Sequence, residues 1–264
     1  MLTITNVSKT FHKGTVNEKV ALRDINITFE TGDYVTVIGG NGAGKSTLLN
    51  LIAGTYPADG GSILLDGVEL TRLSEHRRAS MLGRVFQDPM MGTAAGMGIE
   101  ENLAMAYRRG RRRGLGWGIS QAERAKYREA LGALDLGLEG RLSTKVGLLS
   151  GGQRQALTLL MATLRKPQLL LLDEHTAALD PRTAQKVLAL SDQLIEENGL
   201  TAMMVTHNMR DAIAHGNRLI MMHEGAIILD ISGEQKRSLT VEALLERFAR
   251  ASGDDFASDR ALLT

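Results

Sequence analysis

The stretch YVTVIGGNGAGKSTLLNLIAG, residues 34–54, decides the fold. It opens with the apolar run YVTVI, which predicts a strand, and after Lys45 apolar side chains recur at helical spacing until Gly54. Between them, GGNGAGKS matches the phosphate-loop pattern in its required position between a strand and a helix. Glycines let several backbone N–H groups face one phosphate group, and the helix amino terminus favours an anion. The stretch therefore predicts a nucleoside triphosphate site in an α/β fold.

Two side chains of this loop have predicted chemical roles. We expect Lys45 to contact the β and γ phosphates and the Ser46 hydroxyl to hold Mg²⁺. The loop residues predicted to bind the nucleotide are Gly39, Gly40, Asn41, Gly42, Ala43, Gly44, Lys45, Ser46 and Thr47.

An acidic pair far downstream supplies the groups that such a site needs. The run PQLLLLDE, residues 167–174, predicts a parallel strand buried on both faces. Asp173 ends this strand, where α/β sheets bind their ligands, and is predicted to bind Mg²⁺ or its water shell. Glu174 is predicted to accept a proton from the water that attacks the γ phosphate, a role worth roughly 10²–10⁴ in rate. The alternative is a solvated loop glutamate.

A second anion-binding turn, LSGGQ, occupies residues 149–153. Its predicted ligand-binding residues are Ser150, Gly151, Gly152 and Gln153, which precede an apolar helix and include no lysine. This turn therefore supplies only part of a phosphate site. If two copies meet head to tail, the turn of one chain can cover the γ phosphate held by the lysine loop of the other.

The rest of the chain shows how these motifs are organised. Residues before the phosphate loop are β-rich, and the region from about 88 to 165 is arginine-rich and helical. We therefore predict a mixed, mainly parallel sheet core with an antiparallel β subdomain and an inserted helical subdomain. The predicted domains are 1–235, for nucleotide binding, and 236–264, for a carboxyl-terminal helix and a mobile tail.

Phosphate loop, LSGGQ turn and LLLLDE strand stand in the order typical of ABC transporter ATP-binding subunits, which the chain resembles over residues 2–235. The resemblance implies an ABC-type P-loop fold and transport-coupled ATP hydrolysis with ATP and Mg²⁺. It also implies that Gln87 contacts Mg²⁺ and the attacking water, and that His207 contacts the γ phosphate and holds Glu174. By the same resemblance, Asp180 crosses the dimer interface and the Phe11 ring stacks on adenine, where the family more often has tyrosine.

The family resemblance also implies partners and a location. These are a head-to-tail homodimer around ATP, an integral membrane permease and, indirectly, a solute-binding protein, at the cytoplasmic face of a bacterial inner or plasma membrane. An ABC exporter and a soluble ABC ATPase that acts on ribosomes or DNA are the alternatives. No nucleic-acid partner is expected.

Two residues near the acidic pair depart from the common family pattern. His175 and Ala177 stand where proline and serine are frequent. With LTLLMATL and VTHNMRDAIAHGNRLIMMHEG, the stretch DEHTAALDP is similar to ATPase subunits of bacterial uptake systems assigned to tryptophan and tyrosine. The resemblance favours import, and an aromatic amino acid as the solute follows from that subgroup alone.

Composition excludes several other classes of protein. The 264 residues contain no cysteine, which excludes disulfides, thiolate metal sites and thiol catalysis and fits a reducing compartment. The net charge of +1 argues against a nucleic-acid surface over the whole molecule. No apolar run approaches the roughly 18 residues that predict a membrane span. The start, MLTITNVSKTF, alternates like a strand, so we expect a cytosolic chain without a secretory signal.

The basic run RRGRRRG, residues 108–114, lies in the predicted helical subdomain. Such a run is usually a solvated face. The alternative is that its five arginines contact anionic lipid headgroups, at roughly 1 kcal/mol each near the surface.

Overall fold

A computed structural model describes residues 1–110 and 118–252. The predicted tail beyond Ser252 and the arginines at 111–113 lie outside the described residues. The chain forms two compact units, which are treated separately below. The first contains residues 1–78 and the chain from 199 onward, and the second contains residues 79–198.

The elements are numbered in chain order. The first unit contains the strands β1 (Leu2–Phe11), β2 (Lys19–Phe29), β3 (Tyr34–Ile38), β4 (Gly60–Leu65), β5 (Val68–Glu69), β8 (Ala202–Val205), β9 (Arg218–His223) and β10 (Ala226–Ser232). Its helices are α1 (Lys45–Ala53), α2 (Glu75–Arg78), α7 (Met209–Ala214), α8 (Gly233–Arg237) and α9 (Val241–Ser252). The second unit contains β6 (Leu82–Val85), β7 (Leu169–Asp173), α3 (Ile99–Tyr107), α4 (Gln121–Gly132), α5 (Gly151–Thr163) and α6 (Pro181–Asn198).

The first unit has an antiparallel sheet in the order β2-β1-β4-β5. Its centre is β1, whose residue Leu2 lies opposite both Phe29 of β2 and Leu65 of β4. All three side chains are fully buried. The predicted antiparallel β subdomain is therefore confirmed.

A second group of strands in this unit runs in the order β10-β9-β3-β8. Strand β3 is parallel to β8 and β9, and β10 returns antiparallel to β9. Every side chain of β3 and β8 is buried, which explains why these strands lack an apolar–polar alternation. The four methionines at 203, 204, 221 and 222 belong to this core.

The second unit combines a parallel strand pair with a helical core. Strands β6 and β7 pair in parallel. Helices α3, α4 and α5 pack around a cluster that includes the fully buried Tyr127 and Leu131. Helix α4, in the predicted helical region, ends at Gly132. Asp135 there adopts φ 52° and its N–H closes a turn on the Gly132 carbonyl, a bonding pattern that replaces the helical one.

Near the end of the described chain, the predicted carboxyl-terminal helix is α9. Its buried side chains Leu244 and Phe248 pack into the core of the first unit, beside β9 and β10. Within residues 1–110 and 118–252, no helix has the length and apolar character needed to span a bilayer.

Candidate functional site

The phosphate loop leaves β3 at Gly39 and enters α1 at Lys45. Gly39 and Gly44 adopt φ 152° and 102°, which favour glycine. A side chain at Gly39 would overlap the Met222 carbonyl, and a Cβ on Gly44 would lie 2.6 Å from the Ala21 carbonyl oxygen. Helix α1 has no side-chain cap and no acidic residue in its first turn. Its amino-terminal N–H groups are therefore suited to binding an anion.

Lys45 is held against the loop it belongs to. Its side chain is buried, and Nζ donates to the carbonyl oxygens of Gly39 at 2.7 Å and Gly40 at 3.2 Å. Ser46, the next residue, is exposed. The predicted phosphate lysine is thus ordered, and the predicted metal-binding hydroxyl is accessible.

A cation that the sequence did not single out lies beside this loop. Lys19 is exposed at the start of β2, and its Nζ is 3.4 Å from the position that a Cβ on Gly42 would take. The register of β1 and β2 places Lys19 directly opposite Phe11. Phe11, whose ring is predicted to stack on adenine, is half-buried and packs edge-on against Tyr56 with 5.3 Å between ring centroids. Strand pairing thus connects the aromatic residue to the phosphate loop.

His207 lies at the same edge of the sheet as the phosphate loop. Strands β3 and β8 are parallel with Val37 opposite Val205, so both strands end on one side. The Thr206 N–H donates to the Val37 carbonyl at 3.1 Å, which fixes the chain just before His207. The imidazole is exposed there. The first unit therefore places the phosphate loop and His207 at one edge of the sheet, and it places Lys19, the strand partner of Phe11, beside Gly42 of the loop.

In the second unit, the ends of β6 and β7 bring Gln87 and Asp173 to one edge. The strands are parallel with Val85 opposite Leu172, so Asp173, the last residue of β7, and Gln87, which follows β6, lie at the same edge. Gln87 is exposed, whereas the Asp173 side chain is only 16% exposed. Arg84 Nη2 lies 3.5 Å from Asp173 Oδ2, an ion pair that the sequence did not suggest.

The segment from Glu174 to α6 is fixed at both ends. Glu174 adopts φ 42°, a left-handed conformation that costs a non-glycine residue about 1–3 kcal/mol and clusters at functional sites. Its carbonyl accepts from the Ala177 N–H at 3.0 Å. Asp180 Oδ1 caps α6 by accepting from the Thr183 N–H at 3.1 Å. Hydrogen bonds from Thr183 hold the pKa of Asp180 below its usual value.

His175, one of the departures from the common pattern, has a structural partner. The imidazole is 2% exposed, and its Nε2 lies 2.9 Å from Ser191 Oγ in α6. The Ser191 hydroxyl donates to the Val187 carbonyl at 2.8 Å, so its oxygen accepts from His175 and the histidine proton is on Nε2. This bond ties the residue after Glu174 to α6.

The LSGGQ turn forms a capping box at the start of α5. Ser150 Oγ accepts from the Gln153 N–H, and the Gln153 side chain accepts from the Ser150 N–H. A side chain at Gly152 would overlap Thr183 of α6. Ser150 and Gly152 are thus needed for local structure as well as for the predicted phosphate contacts.

Helix α5 also contacts the chain next to Gln87. Gln155 is fully buried, and its Nε2 donates to the Phe86 carbonyl at 3.4 Å. Two segments of the second unit therefore contact α5, the helix that begins with the LSGGQ turn. One carries Gln87, and the other, from β7 to α6, carries Asp173, Glu174 and Asp180. The sequence did not indicate a role for Gln155 or Ser191, because their partners Phe86 and His175 reach them only through the packing of α5 and α6.

The predicted metal ligands have the chemistry that Mg²⁺ prefers. Ser46, Gln87 and Asp173 offer a hydroxyl, an amide oxygen and a carboxylate, all hard oxygen donors. Within the described ranges, no group of three or more His, Cys, Asp or Glu side chains is arranged to hold a metal. A donor set with one carboxylate suits a metal that is bound mainly through substrate phosphates.

Comparison with known proteins gives concordant matches. A family model described as ABC transporter matches residues 22–177. The chain is 43% identical over 251 residues to a tyrosine transport ATP-binding protein of Clostridioides difficile, covering 95% of this chain and all of that protein. It is 36% identical over 230 residues to an aliphatic sulfonates import ATP-binding protein, SsuB, of Albidiferax ferrireducens, covering 87% of this chain and 73% of that protein.

Solved structures agree with these sequence matches. A dimeric ATP-binding cassette, MJ0796, in a post-hydrolysis state with ADP and Pi superimposes with a TM-score of 0.75 at 29% identity. The match covers 88% of this chain and 98% of that one. A second cassette, MJ1267 in its ADP conformation, has the same TM-score at 25% identity and covers 94% of this chain and 98% of that one.

Proposed function

This chain belongs to the ABC transporter family, and from that premise we propose that it energises the import of a small solute through a partner permease. It is an ATP-binding and ATP-hydrolysing subunit with the ABC-type α/β fold. The relative named for sulfonate import supports the direction of transport. The 43% identical relative makes an aromatic amino acid, tyrosine first, the proposed solute.

The catalytic part of this proposal rests on the phosphate loop of the first unit. Its glycine backbone, the ordered Lys45 and the uncapped start of α1 offer N–H groups and a cation to the ATP phosphates. We assign adenine stacking to Phe11 and γ-phosphate contact to His207. In the partner copy, the turn at residues 150–153 would cover the same γ phosphate, and Asp180 would cross the interface.

Ser46, Gln87 and Asp173 are the residues that would hold Mg²⁺, which would neutralise phosphate charge when bound. Gln87 would also orient the attacking water. Glu174 would take the proton of that water, and its strained backbone conformation supports a functional role.

The catalytic assignment is tested by ATP turnover. Purified protein is expected to hydrolyse MgATP, and Glu174→Gln is expected to lower turnover by about 10²-fold or more, because the amide cannot accept the proton. Lys45→Ala is the control for lost nucleotide binding. Wild-type turnover by Glu174→Gln would show that Glu174 is not the base.

The transport assignment is tested by identifying the proteins that co-purify with the chain from membranes. Glu174→Gln with ATP is used as bait in a pull-down from detergent-solubilised native membranes. A multi-span permease with a solute-binding protein is the expected result and provides a ligand assay for tyrosine. A permease without any binding protein would favour export, and ribosomal or DNA-repair proteins without a permease would move the chain to the soluble class.

A further inference from the structure

Arg108 and Arg109 are neighbours in the basic run, but the structure gives their side chains different partners. Arg108 is neutralised, because its Nη2 lies 3.0 Å from Glu123 Oε1. Arg109 instead reaches the end of α5, where its Nη2 donates to the Ala162 carbonyl at 3.4 Å. Arg165 follows α5 and reaches back, donating from Nη1 to the Arg109 carbonyl. The two side chains therefore cross, each bonded to the backbone segment that carries the other.

Neither of these crossed arginines forms an ion pair with a carboxylate in the described residues. Three carboxylates of this unit, Asp173, Glu123 and Glu100, pair with other arginines, namely Arg84, Arg108 and Arg124. Residues 111–117, RRRGLGW, contain no acidic residue. The carboxyl end of α5 carries only about half a negative charge, which leaves more than one positive charge uncompensated.

The backbone beneath this arginine pair is closely packed. Gly110 adopts φ 72°, and a Cβ there would lie 2.7 Å from Ser80 Cβ and 3.9 Å from Arg165 Nη1. Burial, and then the positive charge of Arg165, hold the pKa of Arg109 below its usual value. Two half-buried like charges held close together by backbone bonds favour an anion that can lie between them.

We propose that Arg109 and Arg165 form a binding site for a phosphate group. A guanidinium has five N–H donors in a planar fork. Within the described residues, each of these two side chains donates one hydrogen bond to a backbone carbonyl. The remaining donors match phosphate oxygens in pairs. The phosphate is either that of an anionic lipid headgroup or free phosphate.

This site is distinct from the catalytic residues of the same unit. Arg165 precedes β7 and Ser80 precedes β6, so the pair lies at the amino ends of these strands. Gln87 and Asp173 lie at their carboxyl ends, about 15 Å away along strands of this length.

The test compares the double variant Arg109→Gln/Arg165→Gln with wild type in two assays. The first is co-sedimentation of the full chain at low salt with phosphatidylcholine vesicles that do or do not contain phosphatidylglycerol. The second is calorimetric titration with inorganic phosphate in the presence of saturating MgADP. The matched control is Arg128→Gln/Arg141→Gln, which removes two exposed arginines of the same unit.

The expected result is a loss of roughly tenfold or more in affinity for the double variant, with the control and basal ATP turnover unchanged. A loss with phosphatidylglycerol vesicles assigns the phosphate to a lipid, and a loss confined to inorganic phosphate assigns it to a free ion. If the glutamine variant does not fold, Arg109→Lys/Arg165→Lys retains charge and is expected to bind with intermediate affinity. The proposal is overturned if wild type binds neither probe, or if the double variant matches wild type or the control in both assays.

Discussion

At the scale of single residues, the structure adds Lys19 to the candidate site that the sequence predicts. Its Nζ lies beside Gly42, and no carboxylate pairs with it in the described part of the chain. We expect Lys19→Gln to weaken MgATP binding about three- to tenfold, because it removes an exposed positive charge near the phosphates. The measurement is titration with a fluorescent ATP analogue at low and high salt.

The control for Lys19 is Arg23→Gln, which removes another exposed cation from the same strand. Added salt should shrink the effect of Lys19→Gln, since exposed charges are screened within about 8–10 Å near physiological ionic strength. Equal affinities of the two variants at low salt would contradict a phosphate contact by Lys19.

His175 is a second residue with a measurable contribution. Removing its buried imidazole leaves a cavity and deprives Ser191 of a donor. We expect His175→Ala to lower the free energy of unfolding by about 2–4 kcal/mol, and Ser191→Ala to lower it by about 1–3 kcal/mol. Urea denaturation of both variants and of the double variant gives the coupling. If the effects of the two substitutions simply add, the hydrogen bond makes no contribution of its own.

At the scale of secondary structure, the LSGGQ turn has two separable roles. Ser150 caps α5, and Asp is as good a cap as Ser. Ser150→Asp is therefore expected to keep the stability of the protein, while its negative charge repels the γ phosphate and lowers ATP turnover by about 10²-fold or more. Thermal unfolding and ATP turnover are measured together.

Helix α4 supplies the matched control for this substitution. Ser120 begins α4 with the same capping box, formed with Glu123. Ser120→Asp should change neither stability nor turnover appreciably. A loss of turnover as large as that of Ser150→Asp would mean that the added charge acts generally and not at the LSGGQ turn.

Helices, strands and motifs were predictable because their signals are local in the chain. The phosphate loop is a contiguous pattern between YVTVI and an apolar helix, and both flanking elements are confirmed as β3 and α1. The partners of Lys19 and His175 were not predictable, since Gly42 and Ser191 meet them only through strand register and helix packing. The arginine run looked uniform because the sequence does not show that Glu123 pairs with Arg108 and not with its neighbour Arg109. The roles of the individual site residues stay predictions.

At the scale of the whole molecule, the phosphate loop and the LSGGQ turn belong to different units of one chain. In a head-to-tail dimer, each ATP site would take its phosphate loop from one copy and its LSGGQ turn from the other. A chain that carries Lys45→Ala and a chain that carries Ser150→Asp would then each be inactive alone. Their mixed dimer would contain one site with both defects and one site with neither.

Mixing the two inactive variants therefore tests the architecture of the assembly. With random pairing, half of the dimers are mixed and each has one intact site of two, so turnover should recover to roughly a quarter of the wild-type value. The measurement is ATP turnover against mixing ratio, which should peak at equal amounts. Adding Glu174→Gln to both chains is the control, because it should abolish the recovered activity. If each chain builds its site from its own loop and its own turn, no ratio restores turnover, since every site then carries one defect.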